Sequence, residues 1–114
     1  MSFTPHYAAV EPTRAEVDAL AGTTVLEFGA PWCGFCMAAQ ADIAQALDAV
    51  PAVRHLRVED GKGRPLGRSF KVKLWPTLVM LQDGQEIARV VRPQGVEDIR
   101  QALRKLGSPD GLAD

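Results

Sequence analysis

Cysteine is scarce in this sequence: Cys33 and Cys36 are the only two among 114 residues. Two cysteines exclude a framework of several disulfides, and a chain of this length can bury a sufficient core without one. They also fall short of the four ligands that a structural zinc site usually needs, because the histidines, His6 and His55, are distant in sequence. We therefore expect no metal site, and zinc binding is the less favoured alternative.

The sequence also has no large excess of charge of one sign and no long apolar run. The formal net charge is −1, which gives no reason to expect nucleic acid or a membrane surface as a partner. No apolar run is long enough to span a bilayer, and the segment Met1 to His6 has neither the basic nor the apolar region of a signal peptide. We therefore expect a cytoplasmic protein, and in that compartment cysteine pairs are more often catalytic or metal-binding than structural.

The two cysteines are three positions apart, at the start of a predicted helix. Cα atoms at positions i and i+3 of a helix lie roughly 5–5.5 Å apart, within the roughly 4.4–6.8 Å range of disulfides. A ring this small removes little entropy from the unfolded chain, so the disulfide would stabilise the fold only slightly. A bond of this kind is suited to being made and broken, and C-x-x-C near a βαβ pattern is typical of a redox motif.

Apolar patterning predicts an α/β fold with a central mixed sheet and helices on both faces. The predicted elements, in chain order, are a helix at 13–22, a strand at 23–28, a helix from the cysteines to about 50, a strand at 53–59, a short helix at 66–70, strands at 77–81 and 86–91, and a helix at 96–106. Thr13 and Glu16 have capping-box spacing, and Asp83-Gly84 is typical of a hairpin turn. We predict one domain over residues 1–114, with a core at about 13–106 and a flexible tail at 107–114.

Cys33 and Cys36 are predicted to have different roles. Cys36 begins the apolar stripe of the long helix and is expected to face the core. Cys33 is expected at the exposed N-terminal end, where unpaired N–H groups and the helix dipole favour a thiolate. Cys33 is then the nucleophile, and Cys36 resolves the mixed disulfide and releases the reduced product. The alternative for each is an inert core cysteine.

Glu27 is an acidic residue inside the apolar strand 23–28. A buried carboxyl group at this position would be able to take the proton of Cys36, directly or through one water. The alternative is a solvated strand residue. His55, on the next predicted strand, is interpreted as structural rather than as a proton relay.

These motifs resemble the thioredoxin family over roughly residues 13–106. The segment 27–36, Glu-Phe-Gly-Ala-Pro-Trp-Cys-Gly-Phe-Cys, matches the family's strand, active-site turn and helix start, and Trp75-Pro76-Thr77 matches the segment that carries its cis-proline. Five positions differ from the usual pattern: Glu27 replaces an aspartate, Gly29 an aromatic residue, Phe35 a proline, Ala41 the proline that often kinks the helix, and Arg92 a glycine.

The resemblance implies a thioredoxin fold and a thiol–disulfide oxidoreductase that reduces or exchanges protein disulfides through a Cys33/Cys36 cycle. It implies no bound cofactor beyond that redox-active disulfide. The implied partners are disulfide-containing proteins and a reductase or small-thiol electron donor, and we expect a monomer. The alternatives are a redox-responsive binding module without turnover and an inert thioredoxin-like adaptor.

The resemblance also places the substrate contacts around the cysteines. Pro76 would be cis and would expose the backbone of Trp75, which can pair with an extended substrate chain. For Arg92, which stands in place of the family's glycine, our hypothesis is that it holds an acidic substrate, or the carboxylates of a small thiol, by charge-assisted hydrogen bonds. The alternative is that its side chain points to solvent. The expected substrate-binding residues are Trp32, Gly34, Phe35, Trp75, Pro76 and Arg92.

Overall fold

The computed structural model describes residues 2–106. Its elements are α1 (Arg14–Asp18), β1 (Thr23–Gly29), α2 (Gly34–Asp48), β2 (Arg54–Glu59), α3 (Pro65–Ser69), β3 (Thr77–Gln82), β4 (Gln85–Val91) and α4 (Val96–Leu103). This is the predicted order. The first and last helices are shorter than predicted, and the expected tail at 107–114 lies outside the described residues. No helix of the described part is long and apolar enough to cross a membrane.

The four strands form one mixed sheet in the order β2-β1-β3-β4. Strand β1 is parallel to β2 and antiparallel to β3, and β3 is antiparallel to β4. Successive side chains of a strand point to opposite faces, so each face has its own core. Val25, Leu78 and Met80 pack with α2 and α4, whereas Leu26, Phe28 and Val79 pack with residues of α1 and α3. The helices therefore cover both faces, as predicted.

The central strand β1 leads directly to the cysteines. All seven of its residues are buried, which explains why its sequence is a continuous run instead of an alternating one. The strand ends at Gly29, and a short turn then places Cys33 as the N-cap of α2. The cysteine pair therefore lies at the carboxyl end of the most buried strand.

The hairpin turn between β3 and β4 is held against the loop before β1. Asp83 and Gly84 both have positive φ, 50° and 82°, as a type I′ turn requires. The carboxylate of Asp83 accepts a hydrogen bond from the N–H of Gly22 at 2.7 Å, and the N–H of Asp83 donates to the carbonyl of Gly22 at 2.8 Å. A Cβ atom at Gly84 would overlap the backbone carbonyl of Asp18.

We predict that Gly84→Ala destabilises the protein much more than Gly63→Ala. Both glycines have positive φ, so each alanine carries the left-handed penalty of about 1–2 kcal/mol. No atom lies within 4 Å of a Cβ at Gly63, whereas Gly84→Ala must also displace the α1 backbone, at a further ~1–3 kcal/mol. Urea unfolding of both variants measures the difference, and equal losses would contradict the described packing of the turn.

Candidate active site

Cys33 caps the N terminus of α2 with its sulfur. The Sγ atom accepts a hydrogen bond from the backbone N–H of Cys36 at 3.1 Å, and both thiols are free. The expectation of an exposed Cys33 is wrong, because only 6% of this residue is accessible. It is enclosed with Ala30 and Cys36 in a small apolar cluster against which Trp75 packs. Cys33, the candidate nucleophile, is therefore shielded from solvent, with Trp75 packed against it.

Cys36 faces the core, as its place on the helical stripe predicts, and is 1% accessible. Burial, followed by the hydrogen bond with Cys33, raises the pKa of the Cys36 thiol to about 12. This thiol therefore stays protonated at neutral pH. Any reaction that uses it as a nucleophile needs a group that takes its proton.

Aromatic side chains form an apolar rim around the cysteines. Trp32 and Phe35 are 72% and 61% exposed, which is typical of a contact surface rather than a core. Trp32 meets Trp75 edge to face at 5.4 Å between ring centroids, and the Trp75 indole N–H donates to Asp60 at 2.8 Å. The sequence patterns did not identify two further exposed apolar residues, Met37 and Leu74, which adjoin Cys36 and Trp75 in the chain.

The bond between Trp75 and Pro76 is cis, as the resemblance implies. Gly34, also expected to contact substrate, is the first residue of α2, and nothing lies within 4 Å of a Cβ there. Substrate backbone therefore has room to approach over Gly34.

Arg92 joins the segments expected to contact substrate. Its Nε donates to the carbonyl of Trp75 at 2.8 Å, and its Cζ lies 4.1 Å from the ring centroid of Phe35. Its own N–H donates to the carbonyl of Pro76 at 2.9 Å, and its φ is 49°, in the left-handed region. A groove of about 410 Å³ opens beside these residues, with Asp42 also in its lining.

Glu27 is fully buried, so the alternative of a solvated residue is wrong. Its Oε2 accepts from the Gln40 side chain at 2.9 Å and lies 3.4 Å from Nε of Arg57. Its Oε1 lies 2.9 Å from Nε2 of His55, whose Nδ1 accepts from the N–H of Thr4 at 2.7 Å. Because Nδ1 is an acceptor, Nε2 carries the proton and donates to Glu27. His55 therefore orients the Glu27 carboxylate, and the prediction that its role is structural rather than that of a proton relay stays a prediction.

Sequence reasoning missed Gln40 and Arg57, and only Gln40 had a signal in the sequence. Gln40 is one helical turn after Cys36, and its amide donates to the Cys36 carbonyl at 2.9 Å as well as to Glu27. Arg57 is the direct neighbour of Glu27 in the parallel register of β1 and β2. No hydrogen bond joins Glu27 to Cys36 among the described contacts, but the charge of Glu27 helps to raise the Cys36 pKa.

Residues 2–8, here called the N-terminal arm, cover this buried network. Thr4 donates from its hydroxyl to the carbonyl of His55 at 2.8 Å, and the N–H of Ala8 donates to the carbonyl of Arg57 at 2.7 Å. Phe3 stacks on His55 with ring centroids 5.5 Å apart. The packed structure therefore extends to the N-terminal side of residue 13.

A free dithiol at the N terminus of a helix, after the central strand of a mixed sheet and near a cis-proline, defines a class of redox-active α/β proteins. The family model described as Thioredoxin matches residues 7–105, and the chain belongs to this family.

Individual relatives agree with this assignment. Thioredoxin H-type 1 of Nicotiana tabacum is 31% identical over 85 residues, which are 75% of this chain and 67% of that protein. The structure of thioredoxin 2 from Pseudomonas aeruginosa PAO1 in its reduced form is 53% identical, with a TM-score of 0.80 over 90% of this chain and 94% of that one. Mitochondrial thioredoxin 3 from Saccharomyces cerevisiae (oxidized form) is 26% identical, with a TM-score of 0.60 over 75% and 78%.

Family membership together with the Cys-x-x-Cys pair makes this protein a thiol–disulfide oxidoreductase. The family implies disulfide-containing proteins as substrates and a reductase as a partner. The alternative of a redox-responsive binding module has no support in the comparisons.

We predict that iodoacetamide labels Cys33 first at neutral pH, because Cys36 is a buried thiol with its pKa raised to about 12. In Cys33→Ser, the labelling rate of Cys36 should keep rising through pH 10, since its thiolate fraction still grows there. The same variant in urea should level off near the ordinary cysteine pKa of about 8.5. Timed mass spectrometry gives both rates. A plateau below pH 9 in the folded variant would contradict the described environment of Cys36.

Proposed function

We propose that the protein reduces and exchanges protein disulfides, with Cys33 as the attacking thiol and Cys36 as the resolving thiol. The observation that carries this assignment is the asymmetry of the pair: Cys33 Sγ lies at the helix N terminus and accepts an N–H bond, whereas Cys36 is held neutral in the core. Helix N-termini favour thiolates. The two cysteines therefore differ in the way that a two-step exchange requires.

The exchange proceeds in two displacements. The Cys33 thiolate attacks one sulfur of the substrate disulfide, that S–S bond breaks, and the other substrate sulfur leaves and takes up a proton. Cys36 then loses its proton and attacks Cys33 Sγ, which releases the second substrate sulfur and forms the Cys33–Cys36 disulfide. Two electrons pass to the substrate, and an external dithiol or two small thiols must return them.

Glu27 is the proposed acceptor of the Cys36 proton. It is the one carboxylate that contributes to the raised pKa of Cys36, and it is held in place by Gln40 and His55. Because the described contacts include no direct Glu27–Cys36 hydrogen bond, we propose transfer through one water. A carboxylate already paired with Arg57 can accept a proton transiently while the cation keeps the site near neutrality.

The remaining assignments concern the setting of the reaction. We propose that the protein acts as a monomer in the cytoplasm, with a reductase or a small thiol as electron donor and with no bound cofactor. A reducing compartment suits an oxidised pair that must be returned to the dithiol after each turnover. Cell fractionation and the sedimentation of the purified chain test the compartment and the monomeric state.

Insulin reduction driven by dithiothreitol tests the proposed function. The parent protein should accelerate the precipitation of insulin chains, and Cys33→Ser should not, because it lacks the attacking sulfur. Cys36→Ser should instead accumulate a mixed disulfide that mass spectrometry detects. Insulin reduction at the uncatalysed rate by the reduced parent would refute the proposed turnover.

Arg92 is proposed to control access to the docking surface. An extended substrate that pairs with the backbone before Pro76 needs the carbonyl of Trp75, and Arg92 Nε occupies that carbonyl. The outer nitrogens of its guanidinium can still bind a carboxylate of a substrate or small thiol. The contact should therefore select for acidic partners and against partners that rely on backbone pairing.

We predict that Arg92→Gly raises kcat/KM with a standard NADPH-dependent thioredoxin reductase several-fold, because it frees the Trp75 carbonyl. Arg92→Ala is the matched control: it also removes the guanidinium but retains the left-handed strain of about 1–2 kcal/mol. Both variants should gain activity, and Arg92→Gly alone should also gain stability to urea. Reductase-coupled rates equal to those of the parent in both variants would remove Arg92 from partner selection.

A further inference from the structure

Gly29 lies at a point on which two reactive side chains converge. A Cβ atom at this position would be 2.7 Å from Cys36 Sγ and 2.9 Å from the hydroxyl oxygen of Tyr7. Real Cβ atoms do not approach other atoms this closely, so a side chain at position 29 would have to displace Cys36 or Tyr7. Both atoms lie close to the same Cβ position, so the distance between Cys36 Sγ and the Tyr7 hydroxyl oxygen cannot exceed the sum of these two distances. The absence of a side chain at Gly29 thus brings the Tyr7 hydroxyl near the resolving sulfur.

Tyr7 is held in this position by the N-terminal arm and by Arg57. The Cζ of Arg57 lies 4.3 Å from the Tyr7 ring centroid, a cation–π distance. The next residue, Ala8, donates its N–H to the Arg57 carbonyl, and the Arg57 guanidinium donates to the carbonyl of Pro5. The ring is therefore held from two sides, and the charge of Arg57 also acts on the Tyr7 hydroxyl, where it lowers the pKa against the effect of burial.

The Tyr7 hydroxyl is buried and has no hydrogen-bond partner among residues 2–106. Buried polar groups are nearly always paired, so this one requires an explanation. Burial, followed by the charge of the Cys36 thiolate, raises the pKa of Tyr7 to about 12. The hydroxyl therefore keeps its proton at neutral pH and is available as a donor.

We propose that Tyr7 is a further catalytic residue of the resolving step, with a hydroxyl that gains its acceptor only when Cys36 becomes a thiolate. This inference rests on the proposed function. A donor that is unpaired in the resting dithiol and paired in the reacting state lowers the barrier without stabilising the ground state. Tyr7 keeps its proton throughout: the Cys36 proton goes to Glu27, and the thiolate then forms the S–S bond with Cys33 as the substrate sulfur leaves.

The other charged groups near Cys36 cannot supply this hydrogen bond. Glu27 is an acceptor and disfavours the thiolate, and Cys33 is bound to substrate during resolution. The Nε of Arg57 also has no hydrogen-bond partner among residues 2–106, but it lies 3.4 Å from Glu27 Oε2, and the guanidinium donates to the carbonyl of Pro5. His55 donates its Nε2 proton to Glu27. A backbone hydrogen bond from Ala30 already favours the Cys36 thiolate, so the unpaired Tyr7 hydroxyl would be a second donor to this sulfur.

The first test is Tyr7→Phe, which keeps the ring on Arg57 and removes only the hydroxyl. Rapid quenching of a single turnover separates the formation of the mixed disulfide from its resolution. We expect attack by Cys33 to stay within twofold of the parent rate and resolution to slow about tenfold, a modest loss for one donor. The equilibrium constant with glutathione should be unchanged, because the hydroxyl has no charged acceptor in the dithiol or the disulfide.

A second test separates donation from packing. Tyr7 is the only tyrosine, so expression with 3-fluorotyrosine modifies this residue alone. The fluorinated phenol is more acidic and a stronger donor, and it should resolve the mixed disulfide faster than the parent. A purely structural role predicts no gain. Phe3→Leu is the control, since it disturbs the arm at His55 and leaves the hydroxyl in place.

Resolution in Tyr7→Phe at the parent rate would overturn the proposal, and so would equal slowing of attack and resolution in that variant. If Tyr7→Phe does not fold, the fluorinated protein decides alone, and an unchanged resolution rate in it would also overturn the proposal. If Phe3→Leu slows resolution as much as Tyr7→Phe does, the effect comes from packing of the arm, and the proposal is also overturned. The parent protein, measured alongside, distinguishes failure of the proposed function from failure of the Tyr7 proposal. If the parent forms no mixed disulfide with insulin, the proposed function has failed. If the parent forms and resolves the mixed disulfide, the comparison tests Tyr7 alone.

Discussion

One buried carboxylate sets the arrangement of this molecule. An unpaired charge inside a protein is very costly, so Glu27 at the centre of the sheet must be surrounded by donors. Its partners come from separate parts of the chain: His55 and Arg57 from β2, and Gln40 from α2, the helix that begins at the cysteines. The N-terminal arm is then fixed by the outer sides of His55 and Arg57. The charge therefore couples the placement of the cysteine helix to that of the edge strand and the arm.

The departures from the usual family sequence compensate for one another. Gly29 removes the aromatic side chain at the end of β1, and the Tyr7 hydroxyl comes close to the place that a side chain would fill. Trp75 supplies aromatic volume against the cluster of Ala30, Cys33 and Cys36 and is anchored by Asp60. Arg92 takes a left-handed conformation that suits glycine, and its guanidinium gains contacts with Trp75 and Phe35. Compared with the usual family sequence, side-chain volume is therefore smaller at the end of β1 and larger around the cysteines.

Local pattern was enough to predict the elements and the inward face of Cys36, because helical and strand periodicity depend on neighbours in sequence. The cis bond before Pro76 followed from resemblance alone. The burial of Cys33 could not be predicted, since its cover comes from Trp75, a distant residue. The environment of Glu27 was missed for the same reason: strand register and the path of the arm decide it. The helices α1 and α4 end earlier than predicted because short helices finish in tightened turns, which the spacing of apolar residues does not reveal.

The arm has a further consequence, for self-association. An open sheet has two edges whose unpaired backbone groups can recruit a strand from another molecule. On the β2 side, the Thr4 hydroxyl and the Ala8 N–H already occupy the carbonyls of His55 and Arg57. On the β4 side, Arg89 and Glu86 form a bidentate ion pair with contacts of 2.6 and 2.8 Å, and charged side chains of this kind discourage strand addition. The same seven-residue segment that carries Tyr7 toward the cysteines therefore also protects the sheet against edge-to-edge aggregation.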